Sequence, residues 1–158
     1  MSFTLKAGPS NKKILLKNSG KLRIGIAVSG WHPDVTEELF EGAVSVLSKN
    51  GIKKQNITRK NVPGSFELPL AAQILLKKYK VDAVICLGCV IKGETDHYNY
   101  ICESVSKGIM DVSIKHNNPV AFGVLTTNNL EQALNRAGGK FGNKGEDAAL
   151  AILKMLSL

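Results

Sequence analysis

The sequence predicts a three-layer α/β sandwich, a four-stranded parallel sheet with helices on both faces. Two observations carry this. Short apolar runs alternate with segments of helical periodicity four times along the chain, and such crossovers are right-handed and build a parallel sheet. The run 81–88 is also nearly all apolar, as a strand covered on both faces must be.

In chain order, residues 22–28 form the first strand. A helix over 34–50 places Val35, Leu39, Ala43, Val46 and Leu47 on one face, and Gly51 follows its end. Asp34, with Glu37 three residues on, reads as a capping box. The second strand is 56–62. A helix begins near Leu68, with Pro69 in its first turn and Leu68, Ala72, Leu75, Leu76 and Tyr79 on its apolar face. After the strand 81–88, a helix over 97–116 carries Tyr98, Ile101, Val105, Ile109 and Val112 inward. Residues 119–125 are the fourth strand. Asn128 caps a short helix with Glu131 at its third position, and the last helix spans 144–155. Residues 1–13 show no periodicity and are expected to be a flexible segment ahead of a single domain, 14–158.

The 158 residues fit one domain by the prior of about 100–200 residues per domain. Apolar and charged shares of 44% and 22% are those of an ordinary globular chain. No apolar run approaches the ~20 residues of a membrane helix, and the N-terminus lacks the apolar stretch of a secretory signal. Cys86, Cys89 and Cys102 are odd in number. The Cys86-x-x-Cys89 pair lies in an apolar run with no second pair, so it reads as packing rather than metal or redox chemistry. These features predict a reducing cytoplasm. The net charge of +8 reads as lysines spread over separate surfaces, helpful for attracting a phosphorylated substrate. Aromatic residues are too few, and too little interleaved with the basic ones, for a single-strand-binding surface, and nucleic-acid binding is not expected.

The stretch from Gly88 to His97 matches a nucleotide-binding G-x-x-x-x-G-K-[ST] at all but one position. Glu94 stands where the lysine belongs, and a carboxylate there repels a triphosphate. Backbone N–H groups in such a loop still suit a smaller anion. His97, three residues on, points to acid–base chemistry, since histidine ordinarily titrates near neutrality.

Ligands of parallel sheets bind beyond the carboxyl ends of the strands. The four strand ends lead into Ser29-Gly30-Trp31-His32, Pro63-Gly64-Ser65-Phe66-Glu67, the stretch 88–97, and Thr126-Thr127-Asn128. All four belong on one rim. Trp31 and Phe66 then face the crevice that holds Glu67, Lys92 and His97, and two rings from separate strands suit a flat heterocycle.

Across these loops the chain resembles the 6,7-dimethyl-8-ribityllumazine synthase family. The resemblance rests on four segments in order: 62–67 (VPGSFE), 88–98 (GCVIKGETDHY), 122–127 (FGVLTT), and 135–138 (NRAG) with 142–145 (GNKG). It covers roughly residues 14–156 and implies a flavodoxin-like fold. It further implies condensation of a ribitylaminouracil with 3,4-dihydroxy-2-butanone 4-phosphate, by imine formation, phosphate elimination and ring closure with loss of water. No metal or organic cofactor is implied. The reactants carry their own nucleophile and leaving group, so the protein must hold them close and move protons.

By position, the resemblance makes Trp31 and Phe66 frames for the pyrimidine, with Ser65, Glu67, Val90, Ile91 and Lys92 also on the pyrimidine and ribityl chain. His97 matches the proton-transfer histidine. Arg136 matches the phosphate-binding arginine, assisted by the backbone around Glu94 and Thr95. Phe122, Arg136 and Lys144 match residues supplied by the adjacent subunit. Pentamers, further packing into an icosahedral 60-mer, and a riboflavin synthase partner are implied too. The short stretch 136–144 favours the shell, and Ile14-Leu15-Leu16 would add a strand to a neighbour's sheet, hiding an edge. The chain departs from the family at Gly30 and His32, where an arginine and an asparagine are usual, and at Asp96, a second negative charge beside Glu94. Two other readings remain: a lumazine- or flavin-storing module that has lost the chemistry, and a mononucleotide carrier. The second lacks a Ser/Thr-rich loop after the first strand; the first has no need of His97, Arg136 and Lys144 together.

Overall fold

A computed structural model describes residues 13–158. β1 (Ile24–Ser29), β2 (Ile57–Val62), β3 (Ala83–Ile91) and β4 (Val120–Thr127) form one parallel sheet in the order β2-β1-β3-β4. The order reverses between β1 and β3, the switch point where open sheets of this kind part their loops to opposite faces and leave a crevice.

Strand parity sorts the core. Ile26, Val28, Ile85 and Leu87 point to the face covered by α1 (Pro33–Lys49) and α5 (Lys144–Leu156). Ala27, Val84 and Cys86 point to the face covered by α2 (Leu68–Lys77) and α3 (His97–His116). The predicted faces of α1 are buried in full, as are Leu68, Ala72, Leu75 and Leu76 of α2 and Val105, Ile109 and Val112 of α3. Tyr79 lies past the end of α2, under the ammonium of Lys60 at 4.4 Å. Cys86 and Cys89, three apart on one strand, fall into opposite cores, so they cannot meet in a disulfide or at one metal. Burial pushes their thiols up to about 12 and about 11, leaving them protonated and inert.

Several local expectations are corrected. α1 begins at Pro33 after His32, which is left-handed at φ 55°, so Asp34 lies inside the first turn and caps nothing. Glu37 is instead engaged by Arg59 of β2, whose guanidinium also covers the Phe40 ring at 4.3 Å. That pairing holds the Glu37 carboxyl below its usual range. The cap of α4 (Leu130–Leu134) is Asn129 rather than Asn128: its side chain accepts the Gln132 N–H at 2.9 Å, while the Gln132 side chain accepts the Asn128 N–H. Sequence periodicity missed a small antiparallel hairpin, β5 (Ala137–Gly139) and β6 (Gly142–Asn143). Asn143 ends it, capping α5 through the Gly145 and Glu146 N–H groups and donating to the Glu38 carbonyl on α1. Gly145 lies directly on the Leu39 carbonyl, where no side chain fits.

The expectation for residues 1–13 falls, but for Lys13, outside the described residues. Ile14 donates its N–H to Asn50 Oδ1 at 2.9 Å, and it packs with Leu16 on the chain's own core; Leu15 stands 91% exposed.

Candidate functional site

β1 ends at a buried Ser29, and Gly30 donates its N–H to Val62 O of β2 at 2.9 Å, so the first two strand-end loops are tied together. Trp31 follows, 67% exposed, with its indole lying against Gly64. His32 stands beside that indole, ring centroids 6.4 Å apart and tilted by 49°. Glu67 turns back so that Oε2 accepts the Gly64 N–H at 2.9 Å. Its carboxylate thus serves the turn between β2 and α2. Phe66 between them is 58% exposed. Trp31 and Phe66 therefore expose two large rings at one rim.

Ser65 is 6% exposed and Ser29 1% exposed, and their hydroxyls have no hydrogen-bond partner among the described residues. Gly88 packs under both: a Cβ there would stand 2.5 Å from Ser65 Oγ and 3.5 Å from Ser29 Cβ. This corrects the reading of Gly88 as the start of a loop. β3 continues to Ile91, and Gly88 pairs in register with Val124. Its role is close packing at the switch point rather than anion binding.

The third loop is therefore only residues 92–96. Val90 and Ile91 end the strand half-buried, and Lys92 donates its N–H to Thr127 O at 2.8 Å, fastening this loop to β4. Glu94, Thr95 and Asp96 are exposed. Asp96 is the N-cap of α3, but its side chain makes no capping bond; its carbonyl receives the Asn99 N–H at 2.9 Å. His97 opens α3, exposed, with its N–H 3.4 Å from Thr95 Oγ1. Tyr98 turns inward, its hydroxyl pushed up in pKa by burial and partly offset by a hydrogen bond with Thr126.

Phe122, Arg136 and Lys144 gather elsewhere. They line a groove of about 570 Å³ that runs along the free edge of β4, between Met110 of α3 and the first two turns of α5. Phe122, expected as a strand residue, is 44% exposed there. Arg136 follows α4, with Nη1 donating to the Gln132 carbonyl at 3.0 Å and its guanidinium over Phe141 at 4.9 Å. Lys144 Nζ pairs with Asp147 Oδ2 at 2.7 Å. Asp147 and Thr126 also line the groove; Thr126 was expected on the rim, while sequence reasoning passed over Asp147, which stands in no spacing that marks chemistry. Among the described residues, no side-chain hydrogen bond or ion pair joins the rim set (Trp31, Ser65, Phe66, Glu67, His97) to the groove set (Phe122, Arg136, Lys144).

The parallel sheet, its switch-point crevice and the exposed rings above it define an α/β enzyme of flavodoxin-like arrangement. Comparison with known proteins names the family. Residues 21–158 match the model of the 6,7-dimethyl-8-ribityllumazine synthase family. A protein of that name from Cytophaga hutchinsonii is 62% identical over 84% of each chain. One from Porphyromonas gingivalis is 49% identical over 87% of this chain and 85% of its own, and one from Flavobacterium johnsoniae 47% over 90% and 75%. The chain belongs to the 6,7-dimethyl-8-ribityllumazine synthase family, and its reaction is the lumazine-forming condensation of riboflavin biosynthesis. The storage-module alternative is not favoured.

Proposed function

We propose that one chain supplies the ring-holding half of the active site and a neighbouring chain the phosphate-holding half. Trp31 and Phe66 frame the pyrimidine, above Val90, Ile91 and Lys92. Ser65 and Glu67 take the ribityl chain, with Glu67 Oε2 committed to Gly64 and its other oxygen left for a hydroxyl. Phe122, Arg136 and Lys144 of the adjacent copy close the site, and Arg136 receives the phosphate together with backbone N–H groups at Glu94 and Thr95. Arginine suits this, because its planar fork binds phosphate by paired charge-assisted bonds.

The chemistry needs little more than placement. The primary amine of the ribitylaminouracil attacks the ketone, and the carbinolamine loses water to form an imine. A proton moves through His97 as phosphate departs onto Arg136, and the ring then closes with loss of water. Holding the two reactants together supplies much of the acceleration, and proton transfer by a positioned imidazole adds the rest.

The observation that carries this reading is the separation of the matching residues into two sets, one of them lining a groove along an edge strand that is unpaired among the described residues. Edges of this kind are normally covered, and a cyclic arrangement of copies would set each groove on the next rim. Pentamers, and their packing into an icosahedral shell, follow as the assembly; residues 14–158 act as a single catalytic domain, in the cytoplasm, beside a riboflavin synthase that consumes the product. Purified protein given both substrates should generate lumazine absorbance above the uncatalysed rate, and light scattering should give a mass of at least five chains. A stable, fully active monomer would overturn the shared site.

A further inference from the structure

The excess positive charge lies at the wrong end of the molecule to serve the substrate. In a parallel sheet with antiparallel helices, strand starts and helix ends share one pole. That pole consists of residues 13–23, 49–56, 77–83, 115–119 and 154–158, and there twelve Lys and Arg stand against one acid, Asp82. At the opposite pole, where the rim and Arg136 lie, residues 30–38, 63–67, 92–97 and 128–147 carry four Lys and Arg against nine acids. The expectation that the lysines are scattered, and that they attract the phosphorylated substrate, is therefore corrected on both counts.

Two stretches distant in sequence build the centre of the positive pole. Asn56 Nδ2 donates to Gly20 O at 2.9 Å, Ile14 N–H donates to Asn50 Oδ1, and the Lys53 side chain lies on Gly20. These contacts bring Lys13, Lys17 and Lys21 beside Lys49, Lys53 and Lys54, all exposed, none ion-paired among the described residues. Asp82, the lone acid, is occupied by the Arg23 backbone N–H. The helix dipole favours lysine at helix ends such as Lys49. It does not account for Lys13, Lys17, Lys21, Lys53 or Lys54, which lie outside the last turns of α-helices.

We propose that this lysine pole binds the phosphate backbone of double-stranded nucleic acid. Lysines act as point charges toward phosphates, and a dense array of them gains affinity by releasing counterions, without reading sequence. Stacking on bases is excluded by the placement of the aromatics: Trp31, Phe66 and Phe141 belong to the other pole, and Tyr79 is already covered by Lys60 and Lys78. A bilayer surface fits less well, because the exposed apolar side chains of the pole, Leu15, Met155 and Leu158, are few beside its twelve Lys and Arg.

The test is fluorescence anisotropy of a short labelled duplex with the full-length protein, titrated with salt from about 50 mM upward. Binding should weaken steeply with salt. Replacing Lys17, Lys21, Lys49, Lys53 and Lys54 together by Gln should lower affinity at least about tenfold and flatten the log–log slope by roughly 0.9 for each phosphate no longer neutralised, while lumazine formation continues as the check on folding. Lys107→Gln, on the middle of α3, should leave binding unchanged. The proposal is overturned by no binding at low salt, by equal binding of the five-lysine variant, or by binding to anionic vesicles but not to the duplex.

Discussion

The rim and the groove differ in how much of each a single chain completes. At the rim, exposed rings rest on a fully packed floor: Gly88 under Ser65 and Ser29, Gly64 under Trp31, and Glu67 closing its own turn. The groove is open along a strand edge, and among the described residues its arginine is held by one carbonyl and one ring, its lysine by one carboxylate. The difference teaches that catalytic parts carried on a closed crevice can be finished within one fold. Parts carried on an edge strand are, under the shared site proposed above, completed by a second copy.

Mutations should separate the two regions, most strongly through chemistry. His97→Ala, at the rim, is expected to lower kcat by about 10²-fold, the low end of general acid–base effects, because both reactants are still held together. Stopped-flow lumazine absorbance measures it, and an unchanged kcat contradicts the proton-transfer role. Arg136→Ala, in the groove, removes a charge-assisted hydrogen bond of about 1.5–3 kcal/mol. It should raise KM for the butanone phosphate by about 10- to 100-fold and leave KM for the pyrimidine nearly unchanged. Equal changes in both would detach Arg136 from the phosphate.

A smaller effect divides the two buried hydroxyls of the rim. Removing an unpaired buried hydroxyl spares its desolvation cost, so Ser29→Ala and Ser65→Ala should each be neutral or stabilising by about 1 kcal/mol in urea unfolding. Only Ser65→Ala should also raise KM for the pyrimidine substrate. If Ser29→Ala shifts KM equally, the ligand reaches deeper into the switch point than the rim assignment allows.

The α/β order and the helix faces were legible because period 2 and period 3.6 patterns survive in short stretches of sequence: all five positions expected on α1 are buried. Strand ends were less so. β3 is apolar through Ile91, and glycine at 88 looked like its end when it is a packing position inside it. The tandem Asn128-Asn129 offers the same capping chemistry twice, and backbone direction chose the second. His32 displaced the expected cap of α1 by adopting a left-handed conformation that no pattern announces. The resemblance named candidate site residues and set Phe122, Arg136 and Lys144 apart from the rest; the place of Phe122 on an edge strand was not legible, because which strand lies at the edge is set by sheet order. The lysine pole was hidden for the same reason: residues 17–21 and 49–54 meet only in the fold.

The central claim is that each active site takes its rim from one chain and its groove from another. Co-expressed His97→Ala and Arg136→Ala chains test it directly. In mixed rings, a chain with intact His97 faces a neighbour with intact Arg136 at about a quarter of the interfaces. Lumazine formation by the mixed assembly should therefore rise well above that of either variant alone, toward about a quarter of the unsubstituted enzyme. A rate no greater than the average of the two separate variants would contradict the claim and put the whole site within one chain.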